Sequence, residues 1–369
     1  MTTSIVNKRL AALRELCSQR EIDGLLVTGP ENRRYLSGFT ADDPDWGALL
    51  ITQDAMALLT DFRYQLWAQQ EAPDFQIVIY KVNLGETLAG LLKELGVQRL
   101  GFEAAHVTFR GYQRLTETVG SKGVQVEWQP LEGVVEELRE SKALEELAAM
   151  RRALKVSEEV LRQVYRELTP GKTERQVAWE IEAGLREGGC ESLAFPPIVA
   201  AGENSARPHH QPGDHIIEAG EPIIIDMGGR LNGYCADITR TYILGPADEQ
   251  FRQIYSLVRQ AQASAEAKLM AGMDSLDADA LARGVIAQAG YGEAFGHSLG
   301  HGVGLAVHEN PAMSPNPERR TVLKAGSVVT VEPGIYLAGW GGIRLEDMVL
   351  LKEDGAEVLN KYVDFYEWD

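Results

Sequence analysis

The chain has 369 residues, 44% of them hydrophobic and 24% charged, with a formal net charge of −18. The length predicts two domains, and the composition is that of an ordinary globular protein. The 54 acidic residues against 36 basic ones exclude a nucleic-acid partner, because phosphates need a basic face.

The amino terminus, MTTSIVNKRL, lacks the apolar core of a signal peptide. No apolar run approaches the roughly 18 residues of a membrane span, so no membrane association is expected. Cys17, Cys190 and Cys235 match no zinc-ribbon or disulfide spacing. Three reduced thiols in a cytoplasmic protein are the expectation.

In chain order, a helical pattern over 5–20 leads to a strand at 24–27. Strands follow at 48–51, 57–60, 76–80, 99–102 and 124–128, with helices at 84–95 and 108–119. This reads as an α/β domain with a mostly buried sheet. A long helical pattern spans 131–168, and the domain junction is placed near its start, giving domains 1–132 and 133–369. No Pro/Ser-rich linker separates them. Gly171-Lys172-Thr173 lacks the upstream glycine of a phosphate loop, since Arg166 holds that position. Thr173 with Gln176 instead predicts a helix capping box. Strands are predicted at 222–227, 234–243, 328–331 and 343–350, with a helix at 248–270 between the second and the later ones.

The chemistry concentrates in this second part. Six of the seven histidines lie there: His209, His210, His215, His297, His301 and His308. The run Pro222-Ile223-Ile224-Ile225 drives into Asp226, and a carboxylate at the end of an apolar strand needs a cation or several donors. A hairpin centred on Leu231 and Asn232 predicts Asp226 directly opposite Asp237, with Cβ atoms roughly 4.5–5.5 Å apart. Two such charges repel unless something positive lies between them. Val328-Val329-Thr330-Val331 runs into Glu332 in the same way. Period-two reading of 342–349 puts Arg344 and Glu346 on one face and Asp347 on the other. Four carboxylates with an imidazole suit a pair of divalent ions. His308-Glu309 does not begin an HExxH zinc helix, because Asn310, Pro311 and Ala312 follow.

The motifs Asp226-Met-Gly, Tyr234-Cys-Ala-Asp237-Ile-Thr-Arg240-Thr241, Gly300-His301-Gly-Val-Gly-Leu305-Ala-Val-His308-Glu309, Glu332-Pro-Gly-Ile-Tyr336 and Gly342-Ile-Arg344-Leu-Glu346-Asp347 together resemble the signature set of the pita-bread metallopeptidases. Asn32-Arg33-Arg34-Tyr35-Leu36-Ser37-Gly38-Phe39 and Thr60-Asp61-Phe62-Arg63-Tyr64 resemble the extra amino-terminal domain of the aminopeptidase P, prolidase and creatinase branch. The resemblance implies an α/β amino-terminal domain followed by an α+β pita-bread catalytic domain. It implies Asp226, Asp237, His301, Glu332 and Glu346 as ligands of two divalent ions, with Asp237 and Glu346 bridging. Manganese is the expected metal, with cobalt or zinc as alternatives. The complete ligand set argues against creatinase and against a metal-free binding module of the same fold.

By the same resemblance His209 handles protons, His297 and His308 contact substrate, and Arg344 orients a ligand carboxylate. The expected activity is hydrolysis of Xaa-Pro bonds at peptide amino termini by a metal-bridged hydroxide. The substrate is a peptide with proline at its second position. Aminopeptidase P is preferred over prolidase, and methionine aminopeptidase is disfavoured by the large extra domain. A homodimer is implied, with Trp46 in a loop able to wall a neighbour's site.

Overall fold

The computed structural model describes residues 3–41, 43 and 47–367. Trp46 and most of its loop lie outside the described residues. The chain divides into two compact units, Met1–Arg139 and Glu140–Asp369. Among the described residues, no helix is long and apolar enough to cross a membrane.

The first unit is an α/β domain. Its strands are β1 (Gly24–Val27), β2 (Ala48–Thr52), β3 (Met56–Thr60), β4 (Gln76–Ile79), β5 (Arg99–Glu103) and β6 (Glu127–Leu131), in the sheet order β4-β3-β2-β1-β5-β6. The helices are α1 (Thr3–Gln19), α2 (Pro30–Ser37), α3 (Gln65–Glu71), α4 (Leu84–Glu94), α5 (Phe109–Ser121) and α6 (Val134–Glu140). Every residue of β1 is buried, as expected of a central strand covered on both faces. The predicted strand at 124–128 is displaced to β6, because Val124 still belongs to the turn closing α5. Helices α2 and α3 were not predicted: they are short and carry little apolar periodicity. In α2, Asn32, Arg33 and Tyr35 are buried. Arg33 donates to the carbonyls of Ala41 (2.9 Å), Asp43 (2.6 Å) and Gly47. These carbonyls take up both terminal nitrogens of the guanidinium, which offsets part of the cost of burying it.

The second unit is α+β. Helices α7 (Leu144–Glu167), α8 (Glu174–Glu187), α9 (Glu249–Glu266) and α10 (Ser275–Gln288) accompany its sheets. One sheet holds β7 (Ser192–Leu193), β10 (Gly229–Leu231) and β11 (Tyr234–Cys235), in the order β11-β10-β7. A second runs β12-β9-β8, with β8 (Ile198–Ala201), β9 (Pro222–Met227) and β12 (Ile238–Ile243). A third runs β14-β13-β15-β18-β19, with β13 (Gly300–Gly302), β14 (Glu309–Met313), β15 (Val328–Val331), β18 (Asp347–Lys352) and β19 (Gly355–Val358). Strands β16 (Gly334–Leu337) and β17 (Gly341–Arg344) form a hairpin. Thr173 and Gln176 form the expected capping box at α8. The single helix expected over 131–168 is two, α6 and α7, parted at residues 141–143.

Two predicted strands are interrupted, and both breaks fall at site residues. The ladder of β11 and β12 lapses at Ala236 and Asp237, and that of β17 and β18 lapses at Leu345 and Glu346. The hairpin register also differs from the expected one. Arg230 pairs with Cys235 and Thr239 with Asp226, so partner numbers sum to 465 rather than 463. The turn is Asn232-Gly233, both with positive φ (51° and 84°), the geometry that Asn-Gly favours in two-residue hairpins. Thr239, not Asp237, therefore faces Asp226. Asp237 is the diagonal neighbour on the same face.

Candidate metal centre

The five acid and imidazole positions converge from five strands or their ends. Asp226 stands near the end of β9, Asp237 in the break before β12, His301 in β13, Glu332 just after β15, and Glu346 in the break before β18. Ligand atoms of Asp237, His301 and Glu346 all lie within 4.8 Å of one another. His301 Nε2 is 3.2 Å from Glu332 Oε1 and 3.7 Å from Asp237 Oδ2. Arg344 Nη2 donates to Asp226 Oδ2 at 2.7 Å. Asp347 points elsewhere, accepting from Arg240 Nη2 at 2.8 Å. The alternation that set Arg344 and Glu346 apart from Asp347 therefore agrees with the geometry.

Four carboxylates buried together cannot all be ionised without compensation. Burial, and then repulsion from Glu346, Asp226 and Glu332, pushes Asp237 well above the usual aspartate range. Glu346 is raised by burial and by Glu332 and Asp226. Asp226 is raised by burial against the pull of Arg344. Burial would raise Glu332 too, but the hydrogen bond and charge of His301 hold it at about 2. Asp226 Oδ1 is buried with no hydrogen-bond partner. An orphaned carboxylate oxygen among mutually repelling acids is the signature of a cation site. The donor set, four carboxylates and one imidazole, fits a pair of divalent ions.

Two residues that sequence reasoning passed over complete the arrangement. Thr239 Oγ1 donates to Glu346 Oε2 at 2.7 Å and accepts from Arg344 Nε at 3.2 Å. Its signal was the period-two series Asp237, Thr239, Thr241, hidden by the misplaced turn. The Tyr336 hydroxyl lies 2.9 Å from His297 Nε2 and accepts from Arg344 Nη1 at 2.9 Å. Burial pushes its phenol up to about 12, so it stays protonated.

His297 is held through Nδ1 against Ser298 O at 2.8 Å, and burial lowers its pKa. The His308 ring packs edge-on to His301, 4.2 Å between centroids. Burial, then the charges of His301 and, more weakly, His209, lower it, so His209 is within electrostatic reach. His210 belongs to another network, with Nε2 2.8 Å from Glu174 Oε2. Glu174 also accepts from Ala201 N, Asn204 Nδ2 and Gly213 N, which fastens the loop that carries His209.

A second group with metal-ligand geometry, Glu103, His106 and Glu136, lies in the first unit. Its carboxylates are already engaged. Glu103 accepts from Thr28 N (2.6 Å), Gly29 N (2.7 Å) and Asn32 Nδ2 (2.6 Å), and Glu136 accepts from Asn32 Nδ2 at 2.7 Å. Glu103 thus serves the amino terminus of α2, where a negative charge is stabilising.

Residues 148–353 match the family model Metallopeptidase family M24, more than half of the chain. The chain belongs to metallopeptidase family M24. Residues 9–141 match the model Creatinase/Prolidase N-terminal domain, so this M24 peptidase carries the two-domain plan of the creatinase and prolidase branch. It is 35% identical to the Xaa-Pro dipeptidase of Pyrococcus furiosus, over 96% of this chain and 98% of that one. Among solved structures it resembles the Xaa-Pro dipeptidase from Bacillus anthracis, with TM-score 0.91, 37% identity and coverage of 96% and 97%. It also resembles the X-Pro aminopeptidase from Thermotoga maritima, with TM-score 0.83, 36% identity and coverage of 93% and 97%.

Proposed function

We propose that this M24 peptidase hydrolyses Xaa-Pro dipeptides. The observation that carries the reading is a single one. All five ligand-type side chains, with the partnerless Asp226 Oδ1 among them, sit in a chain collinear with two Xaa-Pro dipeptidases. The sequence motifs tilted the other way, toward an aminopeptidase P-like substrate of three or more residues. The likeness to the X-Pro aminopeptidase keeps that as the second reading.

In this proposal Asp226, Asp237, His301, Glu332 and Glu346 would hold two divalent ions, manganese before cobalt or zinc. The chemistry such a pair would supply when bound is polarisation of the carbonyl before proline and a water acidified to near neutrality. Glu332 Oε1 accepts from Thr330 Oγ1 at 3.0 Å, and the Glu332 carboxylate would take the proton from the attacking water. The proton then passes to the proline nitrogen as the C–N bond breaks. His209 and His308 stabilise the developing oxyanion. His297, tied to Tyr336, contacts the substrate. Arg344, bonded to both Tyr336 and Asp226, keeps the ligand carboxylate oriented. The tertiary amide of proline has no N–H, so a site that grips the carbonyl loses nothing there.

The test compares an Xaa-Pro dipeptide with an Xaa-Pro-Yaa tripeptide under manganese, cobalt and zinc. The dipeptide is expected to be cleaved with the higher kcat/KM. Hydrolysis of the tripeptide alone would turn the assignment to aminopeptidase P. Failure to cleave either, with no metal retained after loading, would point to a metal-free binding module. The proposal extends to a homodimer in the cytoplasm, where the free thiols of Cys17, Cys190 and Cys235 are in keeping with a reducing compartment. Light scattering after size exclusion is expected to give twice the 40.6 kDa chain mass.

A further inference from the structure

The dipeptide His308-Glu309 belongs to no zinc helix, yet the two side chains do different work. His308 lies over His301. Glu309 turns into the protein, and its carboxylate meets Lys142 Nζ at 2.8 Å, with only 5% and 1% of the two side chains exposed. Lys142 Nζ also donates to Glu140 O at 3.0 Å. Both groups have left water, which costs several kcal/mol per ion in real proteins. An apolar pair of the same volume is often at least as stable, so such an ion pair is poorly explained by stability alone.

Its surroundings suggest another reason. Gly304 presses on the Glu309 carboxylate so closely that a Cβ there would stand 2.2 Å from Oε1. The Gly304 carbonyl accepts from Cys235 N at 2.8 Å, two residues before Asp237. Lys142 N donates to Gly326 O at 2.9 Å, and Ser141 Oγ to Ala325 O at 2.9 Å, at the turn that leads into β15 and Glu332. Lys142 therefore joins the segment carrying His308 to the base of the strand carrying Glu332.

We propose that Lys142 is a positioning residue. Through Glu309 it sets the loop 303–309 so that the His308 ring stands over the metal-ligand histidine. This rests on the role proposed for His308 in peptide hydrolysis.

The experiment is a double-mutant cycle on kcat/KM with whichever peptide the wild type cleaves, together with crystal structures. Lys142→Met is expected to lower kcat by roughly 10–100-fold, the usual cost of losing such a supporting group, while the metal content is retained. In the His308→Ala background the same change should cost almost nothing further, because residues acting through one group are not additive. The Lys142→Met structure should show the His308 ring displaced from its 4.2 Å contact with His301. The double variant Lys142→Met/Glu309→Gln removes the stranded charge. It should recover thermal stability without recovering kcat. Fully additive losses, an unmoved His308 ring, or a double variant that regains both stability and activity would overturn the proposal. A wild type inactive on both peptides would sink the functional reading instead, and the crystal structures would still decide where Lys142 holds His308.

Discussion

Asp237 concentrates the physics of the site. It is buried, close to three other carboxylates, and pushed well above its ordinary pKa by burial and by Glu346. Only a cation makes its ionised form comfortable there. Asp237→Ala is expected to abolish hydrolysis and lower the metal content, read by peptide assay and elemental analysis. Full activity without added metal would contradict the assignment. The hairpin reading pointed to this position, by setting it on the same face as Asp226, the acid that ends the β-branched run 223–225. Thr239 was not announced, because its hydroxyl matters only once it faces Asp226 and reaches Glu346.

Among elements, the loop carrying His209 depends on the start of α8. Glu174, with none of its side chain exposed, accepts from two backbone amides and two side chains. Burial works against its ionisation, but these donors outweigh it and leave its pKa below the ordinary 4.5. A carboxyl whose folded-state pKa is depressed adds stability that is complete above its unfolded value and lost as pH falls through the folded one. Glu174→Gln is therefore expected to cost about 1–3 kcal/mol at pH 7. The gap between wild type and variant should narrow as pH drops below 4.5, in denaturant titrations at several pH values. An unchanging gap would remove the carboxylate from the account. The capping box that starts this helix was legible from Thr173 and Gln176 alone, being local. The four donors to Glu174 come from residues 201–213, and no local pattern in the sequence signals them.

For the whole molecule, removing metal should be felt as a loss of stability. The apo site leaves buried acids repelling one another, so chelation is expected to lower Tm and manganese to restore it. A ligand at about 100 times its Kd stabilises by about 2.7 kcal/mol. An unchanged Tm would mean that the acids are neutralised by protons alone. At this scale the sequence by itself determined the two-domain plan, the apolar strands and the acids at their ends, because strand alternation and residue chemistry are local properties. Tertiary structure decided where those strands break. It moved the hairpin register by two residues, through an Asn-Gly turn that lies one position beyond the expected centre. It also decided which groups support the site. Tyr336 against His297, Arg344 against Asp226 and Lys142 against Glu309 are contacts across 39, 118 and 167 positions. Such pairs are chosen by the packing of distant elements in space, which no spacing along the chain encodes.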